Sequence, residues 1–228
     1  MAFIFFNRRK SNSLKDEQQR ILSSRVKKLK KASSFFRLSP SILSSRIIVG
    51  LDHSGSMCDL YFDGSLQEIL NRIYPLSCMS NNQEILEYAF TDKIRKVSKV
   101  DNENFYNALE TIHFFGWGRT VLMPFFSFLE RSYLHDDNPT LVISFLDDDP
   151  EDVFQSVDII KKFDSENENF FFMFVSIRGY VPNLEENFVF SNSNVISFNS
   201  PREIVSLNDI SFYKIFIEPY LEWYRKKK

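Results

Sequence analysis

Cysteine is nearly absent from this chain: Cys58 and Cys78 are the two in 228 residues. Such a pair makes neither a disulfide framework nor a zinc-ligand pattern, and both read as reduced thiols of the cytosol. Glycine is scarce as well, at 6 residues against 25 phenylalanines, a bias that codon usage explains as readily as function. Nowhere do about 18 uncharged apolar residues run together, so no membrane span is expected. The opening "MAFIFFNRRK" carries its charges after its apolar patch and has no small-residue cleavage site, which argues against a signal peptide. A net charge of −2 leaves no overall excess to favour nucleic acid or a membrane surface. A soluble, cytoplasmic protein is expected.

What is present suffices for one large domain with a full core, or one domain plus an extension. The near-neutral total conceals an asymmetry. Residues 1–45 hold eleven Lys and Arg against Asp16 and Glu17, about +9, which leaves about −11 on the rest. From Leu14 to about Ser33, the apolar residues Ile21, Leu22, Val26 and Leu29 recur at three- and four-residue steps. That is the period of a helix with one apolar stripe and a basic back. Pro40 prevents continuation. Residues 1–40 are read as a basic N-terminal helical extension and 41–228 as the main domain. Such a helix can meet an anionic partner, or simply present a solvated face.

Beyond Pro40, short apolar runs alternate with helical patterns. Strand-like runs fall at 46–52, 82–92, 93–100, 140–147, 170–177 and 194–198. Helical stretches fall near 63–77, 103–112, 121–134, 150–165, 181–187 and 211–226. Continuously apolar strands separated by helices mean a mostly parallel central sheet with helices on both faces, a doubly wound Rossmann-like α/β domain. Ligands of such sheets bind beyond the carboxyl ends of the strands. Two of the most apolar strands end there in an acid, Asp52 and Asp147.

"DHSGS", starting at Asp52, gathers an acid and two hydroxyls into one tight loop. All are oxygen donors of the kind a hard divalent cation takes, and Mg²⁺ prefers octahedral oxygens while keeping several waters. Ser54 and Ser56 suit direct ligation and Asp52 direct or water-mediated ligation, with Gly55 easing the turn. "FGWGRTVLMPF" adds Thr120 just before a helix, and "ISFLDDDPED" adds Asp147. The plainer readings are a capping loop for Asp52, Ser54 and Ser56, and a helix N-cap for Thr120. Asp148 to Asp152 read as a solvated loop leading into the next helix, where acids suit the dipole. Trp117 is either an exposed contact or core, and His113 and His135 read as structural.

Together, Asp52-x-Ser54-x-Ser56, Thr120 and the strand-ending Asp147 resemble the metal-ion-dependent adhesion site (MIDAS) of von Willebrand factor A (vWA) domains. "DLYFDGSLQEILNRIYPLS" resembles the Y-x-x-G-x-x-Q helix of the tellurium-resistance (TerF-like) branch of that family. "SLNDISFYKIFIEPYLEWYRKKK" resembles its closing helix, and the lysine-rich helix before "RIIVGLD" its lead-in, so the likeness extends over about 25–228. The resemblance implies a Rossmann-like sheet with one metal at its edge, Mg²⁺ or else Ca²⁺ or Mn²⁺. It implies Asp52, Ser54, Ser56, Thr120 and Asp147 as the ligands. In adhesion-type members a partner protein supplies a carboxylate to the metal, and the branch is associated with tellurite-resistance and stress operons.

Three departures from the family pattern stand out. Arg119 stands where a glycine usually precedes the threonine; pointing inward it would repel a cation, and pointing outward it would attract an acidic partner. Leu146 and Asp148 flank Asp147 in place of threonine and glycine. His53 occupies a commonly apolar position, where a histidine makes binding pH-sensitive. The expected function is a non-catalytic, metal-dependent protein-interaction module in a tellurium-resistance or stress-response system. The alternatives are a degenerate vWA scaffold without metal, acting through its basic N-terminal helix, and a metal-assisted phosphohydrolase. Against the last, no nucleophile stands beside an evident base. Ser54 also takes the place of the second acid that haloacid-dehalogenase-type phosphatases need.

Overall fold

The computed structural model describes residues 2–35, 45–79, 85–111 and 118–226. Among them the apolar runs become β1 (Arg46–Asp52), β2 (Ile85–Phe90), β3 (Ile94–Val100), β4 (Thr140–Leu146), β5 (Phe170–Ser176) and β6 (Ser193–Ser197). They form one sheet in the order β3-β2-β1-β4-β5-β6. Every pairing is parallel except β2 with β3. The link 91–93 is far shorter than the dozen or so residues a parallel crossover needs, so β3 returns antiparallel at the edge. Beside β1 the strand order reverses, with β2 on one flank and β4 on the other. That reversal opens a crevice beyond the strand ends. The register pairs Leu51 with Phe145, so Asp52 and Asp147 emerge side by side there.

The helices are α1 (Ala2–Phe35), α2 (Cys58–Phe62), α3 (Ser65–Ser77), α4 (Met123–Tyr133), α5 (Val153–Glu166), α6 (Pro182–Asn187), α7 (Pro201–Ser206) and α8 (Asp209–Lys226). Alternating side chains along each strand feed two cores. Val49, Leu51, Phe145 and Met173 join Leu66, Ile69, Tyr74 and Phe216 on the side of α1, α3 and α8. Ile48, Phe90, Phe172 and Phe174 join Phe125, Phe126, Leu129 and Phe163 on the side of α4, α5 and α6. Phenylalanine therefore fills both layers. At Gly50 the Phe125 ring takes the room of a side chain, because a Cβ there would lie 2.6 Å from its Cε1.

Several elements differ from the sequence expectation, among them α2, which precedes the helix expected near 63–77. The helix expected at 103–112 is a turn followed by a short 3-10 segment, Ala108–Thr111. Asn104 and Asp101 side chains accept the amides of Asp101 and Glu103, both at 2.8 Å. Such local bonds compete with helical ones. The short α7 has no counterpart in the pattern, and Pro201 opens it with a preset φ. Helix α1 starts well before residue 14, and its stripe enters the core, with Leu22 6% and Leu29 0% exposed. Its basic back is partly spent on the domain: Arg25 pairs with Glu68, Lys28 with Asp209 at 2.7 Å, and Lys15 with Glu103. No helix among the described residues is long and apolar enough to cross a membrane.

Candidate metal centre at the carboxyl edge of the sheet

The five expected residues meet at the crevice between β1 and β4. Asp52, the last residue of β1, forms the floor at 0% exposure. Its Oδ1 accepts the Ser54 amide at 2.8 Å and its Oδ2 accepts the Thr120 hydroxyl at 2.9 Å. Ser54 Oγ lies 3.1 Å from Ser56 Oγ, which donates to Asp147 Oδ1 at 2.9 Å. A continuous series of side-chain oxygens thus runs from Thr120 to Asp147. The loop is held from below, where Met57 of the 3-10 turn Gly55–Met57 is fully buried. From α2, the Tyr61 hydroxyl donates to the Asp52 carbonyl at 3.0 Å. Gly64, at φ +80°, turns α2 into α3. Gln67 then donates to the Phe105 carbonyl and accepts the Leu109 amide, both at 2.9 Å. Of the Y-x-x-G-x-x-Q pattern, Tyr61 thus braces this loop, while Gly64 makes the turn between the helices and Gln67 holds the 105–109 segment.

The capping alternatives resolve differently. Asp152, not Thr120, accepts the first amides of α4, from Leu122 at 2.8 Å and Met123 at 2.6 Å. That leaves the Thr120 hydroxyl to Asp52. Asp149 likewise accepts the Asn183 and Leu184 amides at the start of α6, at 3.2 and 3.1 Å. The acids read as a solvated loop leading into α5 thus include two that bind the ends of other helices. Asp148 does remain exposed.

Electrostatically the inner end of the site, at Asp52, is short of positive charge. Burial lifts Asp52 from its ordinary carboxylate value to about 6, opposed by the bonds from Ser54 and Thr120 and reinforced by Asp147. No basic side chain is among the main groups acting on it. Asp147, its side chain 1% exposed, is also raised, by burial first, with Ser56 and Arg178 opposing. Two adjacent buried carboxylates with hydroxyls between them are a donor set that a hard divalent cation satisfies in both charge and ligand type. The set is not built from acids and imidazoles. Among the described residues no group of three or more His, Cys, Asp or Glu is placed to hold a metal.

The three departures also find their places. Arg119 is exposed and its guanidinium pairs with Glu151, so its charge is engaged outside the oxygen series. Leu146 is fully buried in the core beneath α4, α5 and α6. His53 is buried, its amide donates to the Phe90 carbonyl at 2.9 Å, and its ring sits edge-on to Tyr61 at 5.2 Å. Burial first, and then Arg95, lower its pKa. Gly116, Trp117 and His113 lie outside the described residues.

Sequence reasoning missed Arg178. Its Nη1 donates to the Ser56 carbonyl at 2.7 Å and lies 3.4 Å from Asp147 Oδ2. The one available signal was its place just past β5, a strand whose loop borders the site once β5 is known to flank β4. Phe62, Phe154 and Tyr180, exposed at 75%, 70% and 65%, belong to α2, the start of α5 and the loop after β5, at the same edge of the sheet.

A family model for vWA-TerF-like domains, the vWA found in TerF C terminus, matches residues 44–226. The chain belongs to this family. The lead-in helix that the sequence likeness had included lies outside the match. No curated protein matches the chain by sequence. Among solved structures, proximal thread matrix protein 1 from the mussel byssus, with a zinc-occupied MIDAS motif, is similar at TM-score 0.58 and 15% identity, over 78% of this chain and 48% of that one. A von Willebrand factor type A protein from Catenulispora acidiphila matches at 0.54 and 15%, over 77% of this chain and 43% of that one. The manganese-loaded Plasmodium vivax TRAP protein matches at 0.55 and 12%, over 77% and 74%. This chain spans about half the length of the first two. At such identities the likeness is one of fold.

Proposed function

We propose that this domain is a non-catalytic protein-interaction module that binds a partner through a divalent cation held by Asp52, Ser54, Ser56, Thr120 and Asp147. The observation that carries the reading is the oxygen series itself, built around a buried Asp52 with no basic side chain among the main groups acting on it. Bound there, the cation would supply a Lewis-acidic position for a partner's carboxylate. The chain's own residues have other tasks: Asp52 and Asp147 provide charge, the three hydroxyls orient, and Met57 and Tyr61 keep the loop in place. Mg²⁺ is the favoured ion, with Ca²⁺ and Mn²⁺ as substitutes, since the donors are all hard oxygens. The zinc-occupied MIDAS motif of the mussel protein and the manganese-loaded state of the Plasmodium protein support a divalent ion as the ligand. The exposed Phe62, Phe154 and Tyr180 support a macromolecular partner, because aromatic anchors concentrate at interfaces. The family's TerF context supports a setting in tellurium resistance or stress response, in the cytoplasm.

The test has two stages. Calorimetric titration with Mn²⁺ is expected to show binding by the wild-type chain and none by Asp52→Ala, with the two circular dichroism spectra alike. A wild-type chain that binds no divalent ion overturns the reading. Proteins then captured on the immobilised chain in Mg²⁺ should elute in chelator and not bind Asp52→Ala. Capture that persists unchanged in chelator rejects cation-dependent recognition.

A further inference from the structure

We propose that Arg178 is an internal competitor for the cation, setting how much divalent ion the centre needs before it fills; this rests on the reading of the centre given above. The guanidinium is committed to the two outer residues of the five. Nη1 donates to the Ser56 carbonyl at 2.7 Å and lies 3.4 Å from Asp147 Oδ2, while Nη2 lies 4.0 Å from Asp59. Asp147 Oδ1 meanwhile accepts the Ser56 hydroxyl. Both oxygens of Asp147 are thus engaged within the chain, one by a hydroxyl proposed as a ligand and the other by a fixed positive charge.

This placement is built rather than incidental. The Ile177 amide donates to the Leu146 carbonyl at 2.9 Å, and its side chain is fully buried. Ser176 Oγ donates to the Gly179 carbonyl at 2.7 Å, and Gly179 adopts φ +135°, a conformation that side chains rarely take. Arg178 therefore stands between two anchored residues, its side chain 35% exposed, over the outer carboxylate. Of the two acids, the inner Asp52 has no ion-pair partner among the described residues. A cation that takes Asp147 and Ser56 must displace their mutual hydrogen bond. It must also either share Asp147 with the guanidinium or expel it, and like charges at one carboxylate repel. Either course weakens cation binding. The contrary role, a clamp that positions Ser56 and Asp147 for the ion, predicts the opposite sign.

The experiment is a calorimetric Mn²⁺ titration of the full chain at low salt, where a partly exposed charge is least screened, comparing wild type, Arg178→Gln and Arg178→Lys. Arg178→Gln is expected to bind Mn²⁺ at least about tenfold more tightly, and Arg178→Lys, which keeps the charge, to stay within about threefold of wild type. Asp52→Ala placed in the Arg178→Gln background should abolish that binding, which locates it. Circular dichroism and melting in chelator confirm that the variants fold. Unchanged or weaker binding by Arg178→Gln overturns the competitor role while leaving the metal centre standing. Absence of Mn²⁺ binding by both wild type and Arg178→Gln overturns the proposal and the centre together. Binding by Arg178→Gln where wild type shows none supports the competitor role but overturns cation-dependent recognition by the wild-type protein.

Discussion

Replacing Asp52 with asparagine should make the cation-free protein more stable while removing its response to metal. Burial pushes the Asp52 carboxyl up to about 6 from an ordinary 3.8. Each pH unit is worth about 1.36 kcal/mol, so the ionised form costs the fold about 3 kcal/mol above the transition. Between about pH 4 and 6 the folded protein keeps a proton on Asp52 that the unfolded chain has released. Stability from this group therefore falls as pH rises through that window, and the full cost is present above it. An asparagine side chain in that place would keep the geometry, accepting the Ser54 amide on its oxygen and donating to the Thr120 hydroxyl, but without charge. In chelator at pH 7.5, Asp52→Asn should melt about 6–12 °C above wild type, at about 2–4 °C per kcal/mol for a domain of this size. The gap should close toward pH 4. Excess Mg²⁺ should then raise the wild type, by about 2.7 kcal/mol at a hundredfold excess over its dissociation constant, and leave Asp52→Asn unmoved. Scanning calorimetry of both chains across pH, with and without Mg²⁺, measures each part. An Asp52→Asn protein that melts at or below wild type in chelator at pH 7.5 would refute the view of Asp52 as an uncompensated buried charge.

Arg119→Ala should leave Mn²⁺ affinity within about twofold of wild type, because the guanidinium is exposed and paired with Glu151, and exposed pairs contribute at most about 1 kcal/mol; a tenfold gain in calorimetric affinity would show that this charge reaches the centre. Leu29→Ala, at a site with 0% exposure, should lower the unfolding free energy by about 2–5 kcal/mol in urea denaturation, as truncation of a core leucine does. Unfolding should stay a single transition, and a separate, earlier loss of α1 would mark that helix as energetically independent of the domain.

Much of this architecture was legible because β1, β4 and β5 are buried on both faces and so read as apolar runs: 46–52, 140–147 and 170–177 need no neighbour to be recognised. Asp52, Ser54 and Ser56 were legible for a related reason. A hydrophobic strand that ends in an acid and two hydroxyls is a local pattern, complete within a few residues. Thr120 and Asp147 could be named, but their meeting with that loop follows from β1 pairing with β4, which no local pattern specifies. The misreadings share one cause. Asp149 and Asp152 look like a solvated loop in sequence, and they cap α6 and α4 only because the fold brings those helix ends to them. Tertiary packing likewise turned the stripe of α1 into core and aimed Arg119 at Glu151. Arg178, separated from Asp147 by a whole helix and strand, reached it through the pairing of β4 with β5. The periodicity of the elements and the chemistry of the first loop could be read from the chain alone, since both depend on adjacent residues. Which charges face that loop emerged from the packing of the sheet, because electrostatic partners are chosen by distance in space and not along the chain.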